Sequence, residues 1–222
     1  MNYLAHYYID NQVGNAHYNA GLIIPDLARG YFKAGLLHHV DASNNPYKDI
    51  FAGCVQHIAS DKKFHASAFF VHYLNEVNAV IKKTAFSQNL QRKWFLAHIL
   101  FELLLDRTIL KSHQVYVDRF YEDLGALTDK DLTIFIGSIG VTAPDGFITR
   151  YRHFTQVQYI RYYTDNNKFV YSLNRIMIRA GLSELNITDA LKLRQVVLEL
   201  ENTYFAAQEN ILNEMRHIFT ER

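Results

Sequence analysis

The chain has 222 residues, 49% of them hydrophobic and 14% aromatic, with a formal net charge of +1. That composition suffices for a packed core and excludes a disordered chain, while the near-neutral charge excludes a dedicated nucleic-acid binder with its basic stripe. One cysteine, Cys54, excludes an intrachain disulfide framework and fits a reducing, cytoplasmic setting; MNYLAHYYIDN is not expected to be a signal peptide, and no apolar run reaches the roughly 18–20 residues of a membrane span.

Few prolines and glycines leave long stretches in which apolar residues recur every three or four positions, the period of a mostly helical fold. Asn2–Ile9 reads as a short helix with Leu4, Tyr7 and Tyr8 facing a core and His6 on the same first turns; Asn11–Asn15 breaks it. Ala16–Ile24 leads into Pro25-Asp26-Leu-Ala-Arg29-Gly30, where proline suits a first turn and glycine a C-terminal cap. Asp26 then answers the helix dipole or serves as a ligand, two readings of equal weight on local grounds. A polar connection, Asp41–Pro46, precedes a helix from Tyr47 to Lys62. Ala66–Thr84 is amphipathic, with Phe70, Tyr73, Val77 and Ile81 on one stripe. After a break at Ser87-Gln-Asn, a helix over Leu90–Lys111 carries a core stripe of Phe95, Ile99 and Leu103, and beside it Trp94, His98, Glu102 and Asp106.

Val115–Leu127 is the next helix, and Thr128 caps a short one after it. Thr133-Ile-Phe-Ile-Gly is the one tempting strand. Beyond the loop Val141–Gly146, a helix over Phe147–Tyr163 is dense in tyrosines and arginines; these are mainly core aromatics with a solvated or carboxylate-paired arginine face, or else a phosphate grip. Asp165 starts a helix that runs to Arg179 and stops at Gly181, and Thr188 caps a long final helix reaching Phe219. No exposed linker divides the chain. The expectation is one all-α helical bundle over residues 1–222.

The chemistry-bearing residues recur at helical spacing. His57 and Asp61 stand four apart on one helix face, and His98, Glu102 and Asp106 repeat that spacing with only apolar residues between. Partly buried imidazoles and carboxylates need partners, and a divalent cation satisfies several at once. With His6 and Asp26 supplied from the N-terminal segment they would form a mixed site suited to Mn, Fe, Zn or Mg, able to generate a hydroxide or polarise a phosphoryl oxygen. The competing reading is a set of ordinary hydrogen-bonded surface pairs. There is no HExxH and no His-Asp dipeptide. Cys54, among apolar neighbours, reads as a buried structural thiol and not a nucleophile.

Several segments, in the same order, resemble the acyl carrier protein phosphodiesterase family, a helical group related to the HD phosphohydrolases. Met1-Asn-Tyr-Leu-Ala-His6 is similar to its opening Met-Asn-Phe-Leu-Ala-His, and Gly21-Leu-Ile-Ile-Pro-Asp26-Leu-Ala-Arg29-Gly30 to Gly-Asn-Leu-Leu-Ala-Asp-Phe-Val-Arg-Gly. Ala52-Gly53 with His57 and Asp61 resembles a His-rich segment ending Arg-Arg-Ile-Asp, and Leu100–Arg107 a stretch where Asp-His precedes Phe-Leu and an arginine. Tyr159–Tyr162 through Asp165, Leu173-Asn174 and Arg175 is similar to its Arg-Tyr segment and following helix.

The resemblance implies an HD-like fold and hydrolysis of the phosphodiester between 4′-phosphopantetheine and a serine of acyl carrier protein, using a divalent metal, typically Mn or Mg. Carried across, His6, Asp26, His57, Asp61 and Glu102 are the metal ligands, Arg29 a phosphate contact, and His98 a base or further ligand. This chain departs at Leu22, where the family has Asn, and at Val55 and Leu103, where it has His. Those losses motivate an alternative, a catalytically silent HD-like protein that holds a phosphorylated ligand or carrier protein. A further alternative is a helical oligomerisation module, a homodimer built on the helix from Thr188.

Overall fold

The computed structural model describes residues 1–31, 47–87, 90 and 92–220. The expected connection Asp41–Pro46, and Gln88-Asn89 of the break after Ser87, lie outside the described residues. The fold is an all-α helical bundle with no β-strand among the described residues. In chain order the helices are α1 Tyr3–Asp10, α2 Ala16–Gly21, α3 Ile24–Leu27, α4 Lys48–His65, α5 Ala68–Lys83, α6 Lys93–Ser112 and α7 Gln114–Ala126. There follow α8 Asp129–Ser138, α9 Asp145–Val157, a 3-10 helix Tyr159–Thr164, α10 Asn166–Arg179, α11 Ile187–Thr203 and α12 Gln208–Thr220. Among the described residues no helix is long and apolar enough to cross a membrane.

The chain divides into two compact units, Met1–Lys63 with Gln114–Gln158, and Phe64–His113 with Tyr159–Arg222. The crossings fall inside α4, between α6 and α7, and between α9 and the 3-10 helix. No Pro/Gly-rich linker marks any of them.

In the first unit, Asn15 caps α2 by accepting the Tyr18 N–H at 3.1 Å. One turn on, buried Asn19 exchanges two hydrogen bonds with the Gln12 backbone (2.8 and 2.9 Å) and donates to Asp123 of α7 at 2.7 Å. The same Asp123 oxygen accepts from the Tyr7 hydroxyl at 2.7 Å, so one carboxylate ties α1, α2 and α7 together. Helices α2 and α4 cross glycine against glycine. A Cβ on Gly53 would stand 2.1 Å from the Tyr18 carbonyl oxygen, and one on Gly21 2.2 Å from that of Ile50. Backbone cannot yield as a side-chain tip can, so Gly53→Ala should lower the urea midpoint and cost at least about 1–3 kcal/mol. Gly125→Ala, where a Cβ meets nothing within 4 Å, should instead be neutral or stabilise its helix by about 0.5–1 kcal/mol.

Thr128 caps α8 as expected, in a capping box completed by Asp131, and Thr133-Ile-Phe-Ile-Gly lies inside that helix. The aromatic-arginine helix stops at Val157. Gln158 takes a left-handed conformation (φ +51°), and the tyrosine-rich remainder winds as the 3-10 helix.

In the second unit, Phe70, Tyr73, Val77 and Ile81 of α5 are buried as the spacing predicts. Helix α6 departs from its expected stripe: Phe95 and Ile99 are only half-buried, Trp94 is exposed, and every residue from 100 to 110 is buried. It is the unit's central helix, packed by α5, α10, α12 and the 3-10 helix, so its faces do not differ enough to leave a periodic signature. The expected final helix is two, α11 and α12, and its cap is Asn186, which accepts the Asp189 N–H at 2.8 Å; Thr188 is inside the first turn.

Candidate metal centre

Within the first unit, α1 and α4 bring buried His6 and His57 into a face-to-face stack, centroids 3.8 Å apart and planes 26° apart. His57 Nδ1 lies 2.7 Å from the Leu22 carbonyl oxygen. A carbonyl only accepts, so Nδ1 carries the proton and the Nε2 lone pair is left for a cation or an acid. The Gly21–Gly53 crossing is what lets α2 deliver that carbonyl to α4. Nε2 faces Asp26 Oδ1 at 3.9 Å, and Asp61 Oδ1 lies 3.7 Å from His6 Nε2 while also accepting from the Met1 nitrogen at 2.6 Å.

One ligand atom each from His6, Asp26 and His57 lie within 4.8 Å of one another. Donors on a six-coordinate cation with ~2.1 Å bonds stand about 3.0 Å apart when cis and 4.2 Å when trans. At 3.9 Å the His57–Asp26 pair must close by roughly an ångström to stand cis on one ion, a movement open to the half-exposed Asp26. The fit is good: two imidazoles, one already held by a backbone carbonyl, and a carboxylate on a short helix.

Glu102 and His98 converge within the second unit, and with a residue the sequence reading did not propose. His98 Nε2 is 2.9 Å and His65 Nε2 3.1 Å from Glu102 Oε1, and the two nitrogens are 3.1 Å apart. His65 was findable: it lies four residues beyond Asp61, continuing the His57, Asp61 register.

Arg29 is exposed, just beyond α3. The Arg150 guanidinium donates to the carbonyls of Leu27 (3.3 Å) and Arg29 (3.0 Å) and lies over the Tyr31 ring, so it clamps the segment after Asp26. Arg152 pairs with Asp129 at 2.6 Å. Arg152 is thus carboxylate-paired as expected, whereas Arg150 is held by backbone carbonyls. Val55 is exposed and sits about 200° around α4 from His57; a histidine there would leave the face that carries His57. Burial pushes the Cys54 thiol far above its ordinary value, as expected of a structural cysteine.

No protein-family model, curated protein or solved structure matches this chain. The fold and the donors define an all-α protein with imidazole–carboxylate clusters that could hold a metal ion.

Proposed function

We propose that the chain is a divalent-metal-dependent phosphodiesterase of the kind it resembles, acting in the cytoplasm on acyl carrier protein bearing 4′-phosphopantetheine. One observation carries the reading: His6, Asp26 and His57, far apart in sequence and all carried over by the resemblance, bring one donor atom each within 4.8 Å of one another. These three hold the ion, and Asp61 supplies an oxygen beside His6. A bound divalent ion makes a water nucleophilic at neutral pH and polarises the phosphoryl oxygen. Two imidazoles favour Mn or another first-row ion over Mg, whose sites are built from oxygen. The Leu22 carbonyl keeps the His57 ring oriented, and Arg29, exposed three residues beyond Asp26, is the phosphate contact that the resemblance implies.

Mass spectrometry of holo acyl carrier protein incubated with the protein and Mn²⁺ should show loss of the phosphopantetheine mass. No loss with Mn²⁺, Mg²⁺, Fe²⁺ or Zn²⁺ rejects the named activity. The silent-binding reading is favoured by one observation, that Leu103, where the family has histidine, is a buried hydrocarbon. It predicts binding of holo carrier protein without turnover.

A further inference from the structure

We propose that His65, His98 and Glu102 form a metal site complete within the second unit, which binds a first-row transition dication through two imidazole nitrogens and one carboxylate oxygen. Glu102 and His98 thereby act as ligands alongside His65, and the proposal does not depend on the phosphodiesterase reading.

The donor triangle is already the right size. Its edges are 2.9, 3.1 and 3.1 Å, against about 3.0 Å for cis donors around a six-coordinate ion and about 3.3 Å around tetrahedral zinc. Hydrogen bonds within the triangle do not match all three of its edges. If both Nε2 atoms donate to Glu102 Oε1, the remaining edge sets two N–H donors against each other at 3.1 Å. A cation on the open side of the triangle replaces both protons and makes all three contacts favourable.

The rings are held from behind. Phe70 meets His65 edge-on at 4.6 Å and His98 at 5.2 Å, and Phe64 meets His65 at 5.4 Å. Helix geometry supplies the rest: His98 and Glu102 are one turn apart on α6, and His65 ends α4. Both imidazoles keep 29% of their side-chain surface accessible while Glu102 keeps 9%, so the three donors cap one face and leave the others to water or an oxygen-bearing ligand. Two histidines and a single carboxylate with open positions is a donor set for Fe²⁺, Mn²⁺, Co²⁺ or Zn²⁺, not for Mg²⁺ or Ca²⁺.

The test uses Co²⁺ as probe on the full chain stripped with chelator, following visible d–d absorption and stoichiometry by elemental analysis. His98→Ala and Glu102→Gln should each remove about one molar equivalent of Co²⁺ or weaken it at least tenfold, with the helical circular dichroism unchanged. His57→Ala should leave that equivalent in place, which separates this site from the first-unit cluster. As a readout that needs no variant, substoichiometric Mn²⁺ should broaden the ring C–H proton resonances of His65 and His98. Wild-type stoichiometry with wild-type affinity in both second-unit variants, or unbroadened His65 and His98 resonances, overturns the proposal.

Discussion

Arg107→Ala is expected to be the most destabilising single change in the second unit, costing about 3–5 kcal/mol in urea unfolding. Its guanidinium is buried in the middle of α6, where Nε pairs with Glu201 at 2.7 Å and Nη2 donates to Asn166 at 2.6 Å and to Glu201 at 2.8 Å. The cation lies 5.1 Å from the Phe169 ring centroid, so an aromatic face covers what the hydrogen bonds do not reach. Removing it strips Glu201 of its buried partner and leaves it Lys111, which reaches it at 2.5 Å. It also breaks the tie of α6 to Asn166 at the start of α10 and to α11. The main cost is that of removing the buried guanidinium that half-buried Glu201 and Asn166 share, so Arg107→Ala with Glu201→Gln should recover part of the loss. Arg107→Lys should not rescue it, because one ammonium cannot reproduce the fork that spans Asn166 and Glu201. A shift below about 1 kcal/mol would show that the network is ornamental.

That arginine shows where the sequence is informative and where it is not. The same helix carries His98, Glu102 and Asp106 at helical spacing, yet its core stripe is not readable from the sequence because a segment buried on all sides carries no phase. Amphipathic α5, by contrast, displays its buried face in its spacing. The strand-like Thr133-Ile-Phe-Ile-Gly is helical because the Thr128–Asp131 capping box starts a helix just before it, and local hydrogen bonds at a terminus outweigh a short β-branched run. The terminations at Val157 and Thr203 left no such mark: neither is followed by glycine or proline, and Gln158 adopts a left-handed conformation that non-glycine residues seldom take. Division into two units was equally invisible, since α4 runs through one crossing uninterrupted.

The site was legible in part for a related reason. Spacing of three and four finds partners on one helix, which is how His57 with Asp61 and His98 with Glu102 were noticed. It cannot say which helix faces which. The nearness of His6 and Asp26 to His57 follows from the packing of α1, α3 and α4, which no spacing along a single helix encodes. The orienting group is a backbone carbonyl, that of Leu22, and no side-chain motif announces a carbonyl.

That carbonyl gives the sharpest test of the first-unit cluster. His57→Ala removes a ligand outright and should reduce Mn²⁺ affinity by at least about a hundredfold, with any phosphodiesterase turnover falling to background. Loss of activity alone would not separate ligation from general disruption, so the companion variant is Gly21→Ala, which alters no ligand. Its Cβ would stand 2.2 Å from the Ile50 carbonyl oxygen and 2.9 Å from Gly53 Cα. The chain must move α2 off α4, and Leu22, the next residue, moves with it. The 2.7 Å contact from His57 Nδ1 to the Leu22 oxygen then lengthens, and the ring loses both its tautomer bias and its aim. Mn²⁺ affinity should fall about 10- to 100-fold, the range for losing an orienting partner, with turnover falling in step and partly restored at high Mn²⁺. Turnover that stays low at saturating Mn²⁺ would assign the loss to the fold, and unchanged affinity in Gly21→Ala would show that the carbonyl does not orient a ligand.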